Sequence, residues 1–162
     1  MPDNCVDENQ WRKLMTAEAD AASIRKRSEQ IVSTLAKVCS PERMPNGVGL
    51  AFELQATNLS LGKITTPFYE GRFRLDWSVE ERLLGRIVVE RKYADHQDQI
   101  VWQPVMEIMV PEYDNPYVGD GSSRVSILLD RELGNHRENS VFSLGMSILY
   151  VMASGHKTVK LS

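Results

Sequence analysis

The stretch that decides the fold is residues 69–77, which read YEGRFRLDW. Apolar residues or glycine occupy every second position, and charged residues fill the positions between them. Because successive side chains of a β-strand point to opposite faces, this pattern predicts a strand with one face in the core and one in water. The apolar row is Tyr69, Gly71, Phe73, Leu75 and Trp77, and the polar row is Glu70, Arg72, Arg74 and Asp76.

Further strands are expected on both sides of this stretch. Residues 48–54 alternate with the same period after a Pro-Asn-Gly turn, and a weaker strand, broken by Gly62, is expected around 59–64. Residues 84–93 and 100–110 form two more runs of strand character. Because the connections between these runs are short, they predict an antiparallel meander.

The strand at 100–110 carries a proline in its interior. Pro104 has no amide hydrogen to donate to a neighbouring strand, so this strand should lie at a sheet edge or contain a bulge near that residue. The alternation along this strand predicts that Trp102 shares one face with Met106, Ile108 and Val110.

A long amphipathic helix is predicted over residues 8–38. Apolar or small residues recur there at alternating steps of three and four. This stripe is typical of a helix lying across a sheet, and a self-associating coiled-coil seam is the alternative, diluted by alanine and serine. The stripe consists of Leu14, Ala17, Ala21, Ile24, Ser28, Ile31, Leu35 and Val38.

The last apolar segment, residues 141–153, fits a helix or a strand. Its length, together with Gly155 as a C-terminal cap, favours a helix over residues 139–154. The predicted fold is therefore a single α+β domain spanning residues 1–162. Its long N-terminal helix packs on an antiparallel meander of about four to six strands within 48–110, and a C-terminal helix follows.

Composition limits the classes of protein that this chain can belong to. The formal net charge of −3 argues against sequence-independent binding of nucleic acid. The amino terminus lacks the pattern of a signal peptide, and no apolar run is long enough for a membrane span. Cys5 and Cys39 lie far apart and outside any metal-binding pattern, so free thiols in the reducing cytoplasm are expected.

Motifs for catalysis, cofactors or metals are not recognisable, so no catalytic residue, cofactor or metal ligand is assigned. A phosphate-binding loop, a nucleophile elbow and a zinc-protease motif are all missing from the sequence. His96, His136 and His156 lie in segments that the sequence gives no reason to bring together. Arg72, Arg74, Arg86 and Lys92 are predicted on the polar sheet face beside acidic residues, which indicates surface ion pairs.

One loop stands out, at residues 111–123. It belongs to a 29-residue stretch from 94 to 122 that contains six acidic residues and no lysine or arginine. Prolines restrict the loop, tyrosines are favoured anchors of interfaces, and acidic flanks steer a basic partner. The candidate partner-binding residues are Glu112, Tyr113, Asp114, Tyr117 and Asp120. The alternative is a surface loop whose tyrosines fold back on the core.

Two functional hypotheses follow. The first is a non-catalytic interaction protein, such as an adaptor, inhibitor, chaperone-like or assembly subunit, that binds a protein with a basic surface. A homodimer is a further expectation of this hypothesis. The second is a protein whose concave sheet face encloses a small apolar ligand or an enzyme site. That face would consist of Phe52, Phe73, Trp77, Trp102 and Met106. The predicted inward rows are almost wholly apolar, which favours the first hypothesis.

Overall fold

The computed structural model describes residues 7–43, 49–57, 60–79, 82–119, 123–129 and 135–155. It shows the predicted α+β fold with a long N-terminal helix, a curled antiparallel sheet and a C-terminal helix. In chain order the elements are α1 (Glu8–Val38), β1 (Ala51–Leu54), β2 (Gly62–Thr65), β3 (Glu70–Val79), β4 (Leu83–Ala94), β5 (Ile100–Val110), β6 (Tyr117–Val118), β7 (Val125–Ser126) and α2 (Asn135–Ser154).

The first helix has the predicted bounds, and its caps explain them. The Asp7 side chain accepts a hydrogen bond from the Gln10 amide, and the Gln10 side chain accepts one from the Asp7 amide. This reciprocal capping box satisfies two amides that the first turn leaves unpaired. The helix ends before Cys39, two residues ahead of Pro41.

Each strand of the sheet pairs antiparallel with its sequence neighbour, in the order β1 to β7. The sheet therefore is a meander, five strands of which lie within 48–110 as predicted, and the described residues contain seven strands in all. The two further strands, β6 and β7, each have two residues. β6 lies within 111–123, where no regular structure was expected, and β7 follows that segment. The C-terminal helix begins at Asn135, four residues earlier than predicted.

Both helices pack on the inner face of the sheet. The stripe of α1 from Ile24 to Val38 is buried against it, and Phe73 at the centre of β3 is fully buried. Trp77, expected in the same row, is only half-buried and packs at the edge of the core. None of the described helices is long and apolar enough to cross a membrane.

A bulge in β5 corrects the predicted face of Trp102. Val89 of β4 lies opposite Met106, but the next residue, Glu90, lies opposite Pro104, so β5 has one extra residue at this point. Because an extra residue reverses the side-chain alternation beyond it, Trp102 leaves the inner face and lies beside Lys92 on the outer one. Among the described residues, β5 pairs with β6 only at Ile108 and Met109, so its first half also forms a sheet edge.

Candidate functional site

The acidic stretch of the sequence does not form one patch in three dimensions. Asp95 and Asp98 lie in the hairpin before β5, whereas Glu112 and Asp114 follow its far end. The 11 residues of β5 separate these two groups by roughly 30 Å, at about 3.3 Å per residue. At physiological ionic strength, salt screens the interaction between exposed charges that lie more than about 8 Å apart, and the two groups are several times farther apart than that. The two groups therefore act separately.

Glu112 points inward and joins a group of side chains that we call the Arg82 cluster, formed by Asp20, Arg82, Glu112 and Tyr113. The Arg82 Nη2 atom lies 2.8 Å from Glu112 Oε2 and 3.4 Å from Asp20 Oδ2. Its guanidinium carbon lies 4.6 Å from the centre of the Tyr113 ring. The cluster thus joins the helix α1, the start of β4 and the loop after β5.

The two carboxyl groups of the Arg82 cluster are crowded together. Hydrogen bonding to Asp20, with a smaller contribution from desolvation, raises the pKa of Glu112 above its ordinary value of 4.5, although Arg82 opposes the shift. Asp20 is 5% exposed and the Glu112 side chain 13%. The charge of Glu112 is therefore directed at Arg82 and not at a partner in solution.

The backbone of the loop is attached to α1 by an arginine that sequence analysis did not single out. The Nη1 group of Arg27 donates hydrogen bonds to the carbonyl oxygens of Pro111 and Glu112, the latter over 2.9 Å. Arg27 is separated from them by more than 80 residues of sequence. Because these carbonyls directly precede Tyr113, the bonds fix the position of the tyrosine relative to the helix.

The remaining predicted site residues have different environments. Tyr113 is 74% exposed and Asp114 is also exposed. Tyr117 is half-buried in β6, with the guanidinium carbon of Arg124 3.7 Å from the centre of its ring. Asp120 lies outside the described residues. The structure thus places Glu112, Tyr113 and Asp114 at one end of the molecule, and it makes Tyr113 the accessible aromatic group there.

A second exposed surface adjoins the Arg82 cluster. Residues 8–19 of α1, which we call the arm, extend beyond the part of the helix that is buried from Asp20 onward. Trp11, Leu14 and Met15 are 56%, 50% and 68% exposed on the arm. Sequence analysis included Leu14 in the buried stripe and attached no importance to Trp11. Their spacing of three and four residues would have identified a shared helix face, but not the absence of sheet beneath it.

No arrangement of the described residues suggests metal chemistry, since no three histidine, cysteine, aspartate or glutamate side chains among them converge. His96 is exposed in the hairpin tip. Cys39 is buried, and burial raises the pKa of its thiol to about 11, so this thiol is protonated and unreactive at neutral pH.

Comparison with protein-family models, with curated proteins and with solved structures finds no match to this chain. The functional argument therefore depends on the geometry of the Arg82 cluster, the loop and the arm.

Proposed function

We propose that this protein is a non-catalytic protein-interaction protein that binds a basic partner with the end of the molecule bearing Tyr113 and Asp114. The observation that carries the proposal is that Tyr113 is 74% exposed and yet held against Arg82. An aromatic group that is fixed before binding loses little conformational entropy in a complex. Tyrosine is also among the residues that most often dominate the binding energy of interfaces.

Charge supports a basic partner at this position. Asp114 is exposed next to Tyr113, whereas Glu112 is occupied by Arg82. A lysine or arginine of the partner would pair with Asp114, and Asp120 would add to the negative potential. Such exposed charges mainly increase the rate of association, while a packed aromatic group mainly slows dissociation.

A homodimer through the arm is the second part of the proposal. The arm is about 18 Å long and exposes Trp11, Leu14 and Met15, and an antiparallel copy would cover these side chains. In that arrangement the apolar residues of the two arms would cover each other, which is why a second copy is the proposed occupant.

The dimer proposal is tested by sedimentation equilibrium over the micromolar range. Wild-type protein should associate, and a variant with Leu14→Ser and Met15→Ser should sediment as the 18.4 kDa monomer. A wild type that stays monomeric throughout would exclude this use of the arm.

We also propose that the protein works in the reducing cytoplasm. The support is Cys39, a free thiol that is buried in the core beside Gly145 of α2.

The experiment for the main proposal is affinity capture from native host extract with wild-type protein, Tyr113→Ala and Tyr150→Ala. Tyr150 is a matched control, because it is also exposed but lies on α2, away from the loop. A partner retained by wild type and Tyr150→Ala but lost with Tyr113→Ala would support docking at the loop. Equal capture by all three proteins would overturn it.

Binding kinetics with the captured partner then separate charge from packing. Tyr113→Ala should shorten the lifetime of the complex by about tenfold or more. Asp114→Asn should slow association and weaken its salt dependence. Asp98→Asn is the matched control, since Asp98 belongs to the same acidic stretch of sequence but lies at the other end of β5, and it should leave both rates unchanged.

A further inference from the structure

The outer face of the sheet contains a recess that the proposed function does not use. It has a volume of about 250 Å³ and lies over β2, β3 and the edge of β5. Trp102 reaches this recess only because the bulge in β5 reverses its side. The charged and aromatic side chains around it, which we call the outer pocket, are Lys63, Glu70, Arg72, Lys92 and Trp102.

The charges of the outer pocket are unbalanced. Lys63 Nζ lies 3.6 Å from one oxygen of Glu70, and Lys92 Nζ lies 3.6 Å from the other. Both distances are longer than the 2.7–2.9 Å typical of a charge-assisted hydrogen bond. With Arg72, three positive groups line the recess around one exposed carboxylate, and the buried Glu90 carboxylate pairs with Arg72 from below, so positive charges exceed negative ones by one.

A neighbouring ion pair on the same face is tighter. Arg86 Nη2 lies 2.6 Å from Asp76 Oδ2, and these two residues face each other across β3 and β4. Hydrogen bonding to Arg86 lowers the pKa of Asp76, so the pair is fully charged at neutral pH. Arg74 Nη1 lies 3.8 Å from the same Asp76 oxygen, so loose contacts also occur outside the pocket. What marks the outer pocket is that both contacts of its one exposed carboxylate are loose.

Arg72 and Trp102 form a fixed wall of the outer pocket. The Arg72 guanidinium carbon lies 4.1 Å from the centre of the Trp102 ring, which is cation–π distance. Its Nε group donates a 2.9 Å hydrogen bond to Glu90, a carboxylate that is 5% exposed. Arg72 is thus held in place by a buried group below it, while the two lysines are long and adaptable.

We infer that the outer pocket binds a small polyanion, with its negative groups placed between Lys63, Lys92 and Arg72. In the unbound protein the Glu70 carboxylate lies between the two lysines, where an anionic group of the ligand would bind. The volume is below the roughly 300–1,000 Å³ of pockets for drug-sized ligands, so the ligand is of the size of pyrophosphate or a tricarboxylate. A nucleic acid strand fits less well, because Asp76, Glu90 and Glu107 interrupt the basic residues along the same face.

The test is titration calorimetry at low ionic strength with two probes, inorganic pyrophosphate and citrate, which distinguish phosphate from carboxylate recognition. Saturable binding of at least one probe is expected below about 10 mM. A variant with Lys63→Gln and Lys92→Gln should bind about tenfold or more weakly, as expected when charge-assisted hydrogen bonds are lost. A variant with Lys26→Gln and Lys37→Gln, which has the same change of net charge but on α1, should bind like wild type.

The Glu70→Gln variant gives the sharpest readout, because its expected effect has the opposite sign. Removing the competing carboxylate should strengthen binding of the probe by several-fold. All variants should first be shown to melt like wild type. The inference is overturned if neither probe binds wild type, if both lysine variants bind equally, or if Glu70→Gln leaves binding unchanged or weaker.

Discussion

The two parts of α1 show the same apolar pattern but have different environments. In residues 20–38 the stripe is covered by the sheet and by α2, whereas in the arm the same spacing leaves Trp11, Leu14 and Met15 exposed. The difference comes from the sheet, which ends near Asp20, and not from the helix itself. Apolar residues spaced by three and four positions thus indicate a helix surface that can be buried. The length of the neighbouring sheet decides how much of that surface is buried.

The largest expected effect compares one substitution in the two parts of this helix. Leu35→Ala removes a fully buried side chain and should lower the free energy of unfolding by about 2–5 kcal/mol. Leu14→Ala removes a half-exposed side chain and should change it by less than about 0.5 kcal/mol. Urea denaturation in the dilute, monomeric range measures both. Similar losses for the two variants would show that the arm is packed in solution.

A smaller effect is expected from Gly85→Ala, which tests how closely the buried part of α1 approaches β4. A Cβ atom at Gly85 would collide with the Cγ2 methyl group of Ile24 and lie 3.3 Å from the Val110 carbonyl oxygen. Such overpacking should cost about 1–3 kcal/mol of stability in urea denaturation.

A double-mutant cycle identifies the cause of that loss. If the collision with Ile24 is responsible, Gly85→Ala should cost less in an Ile24→Ala background, because the methyl group is gone. Additive effects of the two substitutions would contradict this explanation and point to the backbone of β4.

The same contrast explains what the sequence could predict. The bounds of α1, the meander and the fold class were predictable because they depend on local periodicity and capping. The face of Trp102 was not, since a bulge is one extra residue that leaves no periodic signal of its own. Continuous alternation through Pro104 was the wrong assumption, although the proline itself correctly indicated an irregular ladder.

The candidate site was less predictable, because its contacts join distant parts of the chain. Arg82 is 62 residues from Asp20 and 30 from Glu112, and no spacing rule connects them. Sequence analysis identified Tyr113 and Asp114, whose role in binding stays a prediction. It treated Glu112 as an outward-facing charge, which the Arg82 cluster does not support.

The smallest expected effect concerns the Arg82 cluster, at the boundary between the two parts of α1. Hydrogen bonding to Asp20 raises the pKa of Glu112 above 4.5, so the folded state holds this proton more tightly than the unfolded chain. The resulting stabilisation is complete below pH 4.5 and is lost as the pH rises through the pKa of the folded state. Asp76 has the opposite sign, because its lowered pKa gives stability that is lost in acid, below its ordinary pKa of 3.8.

Comparing wild type with Glu112→Gln isolates this contribution. Glutamine does not titrate, and the contributions of the other titrating groups cancel when one melting temperature is subtracted from the other. The melting temperature of wild type minus that of Glu112→Gln should increase as the pH is lowered from 7 toward 4.5. Asp114→Asn, an adjacent exposed carboxylate with no contact to Arg82 in the described geometry, is the control for a general effect of loop charge. If the difference instead decreased in acid, the ion pair with Arg82 would dominate over the hydrogen bond with Asp20. The charge of Glu112, and not its proton, would then hold the loop against the helix.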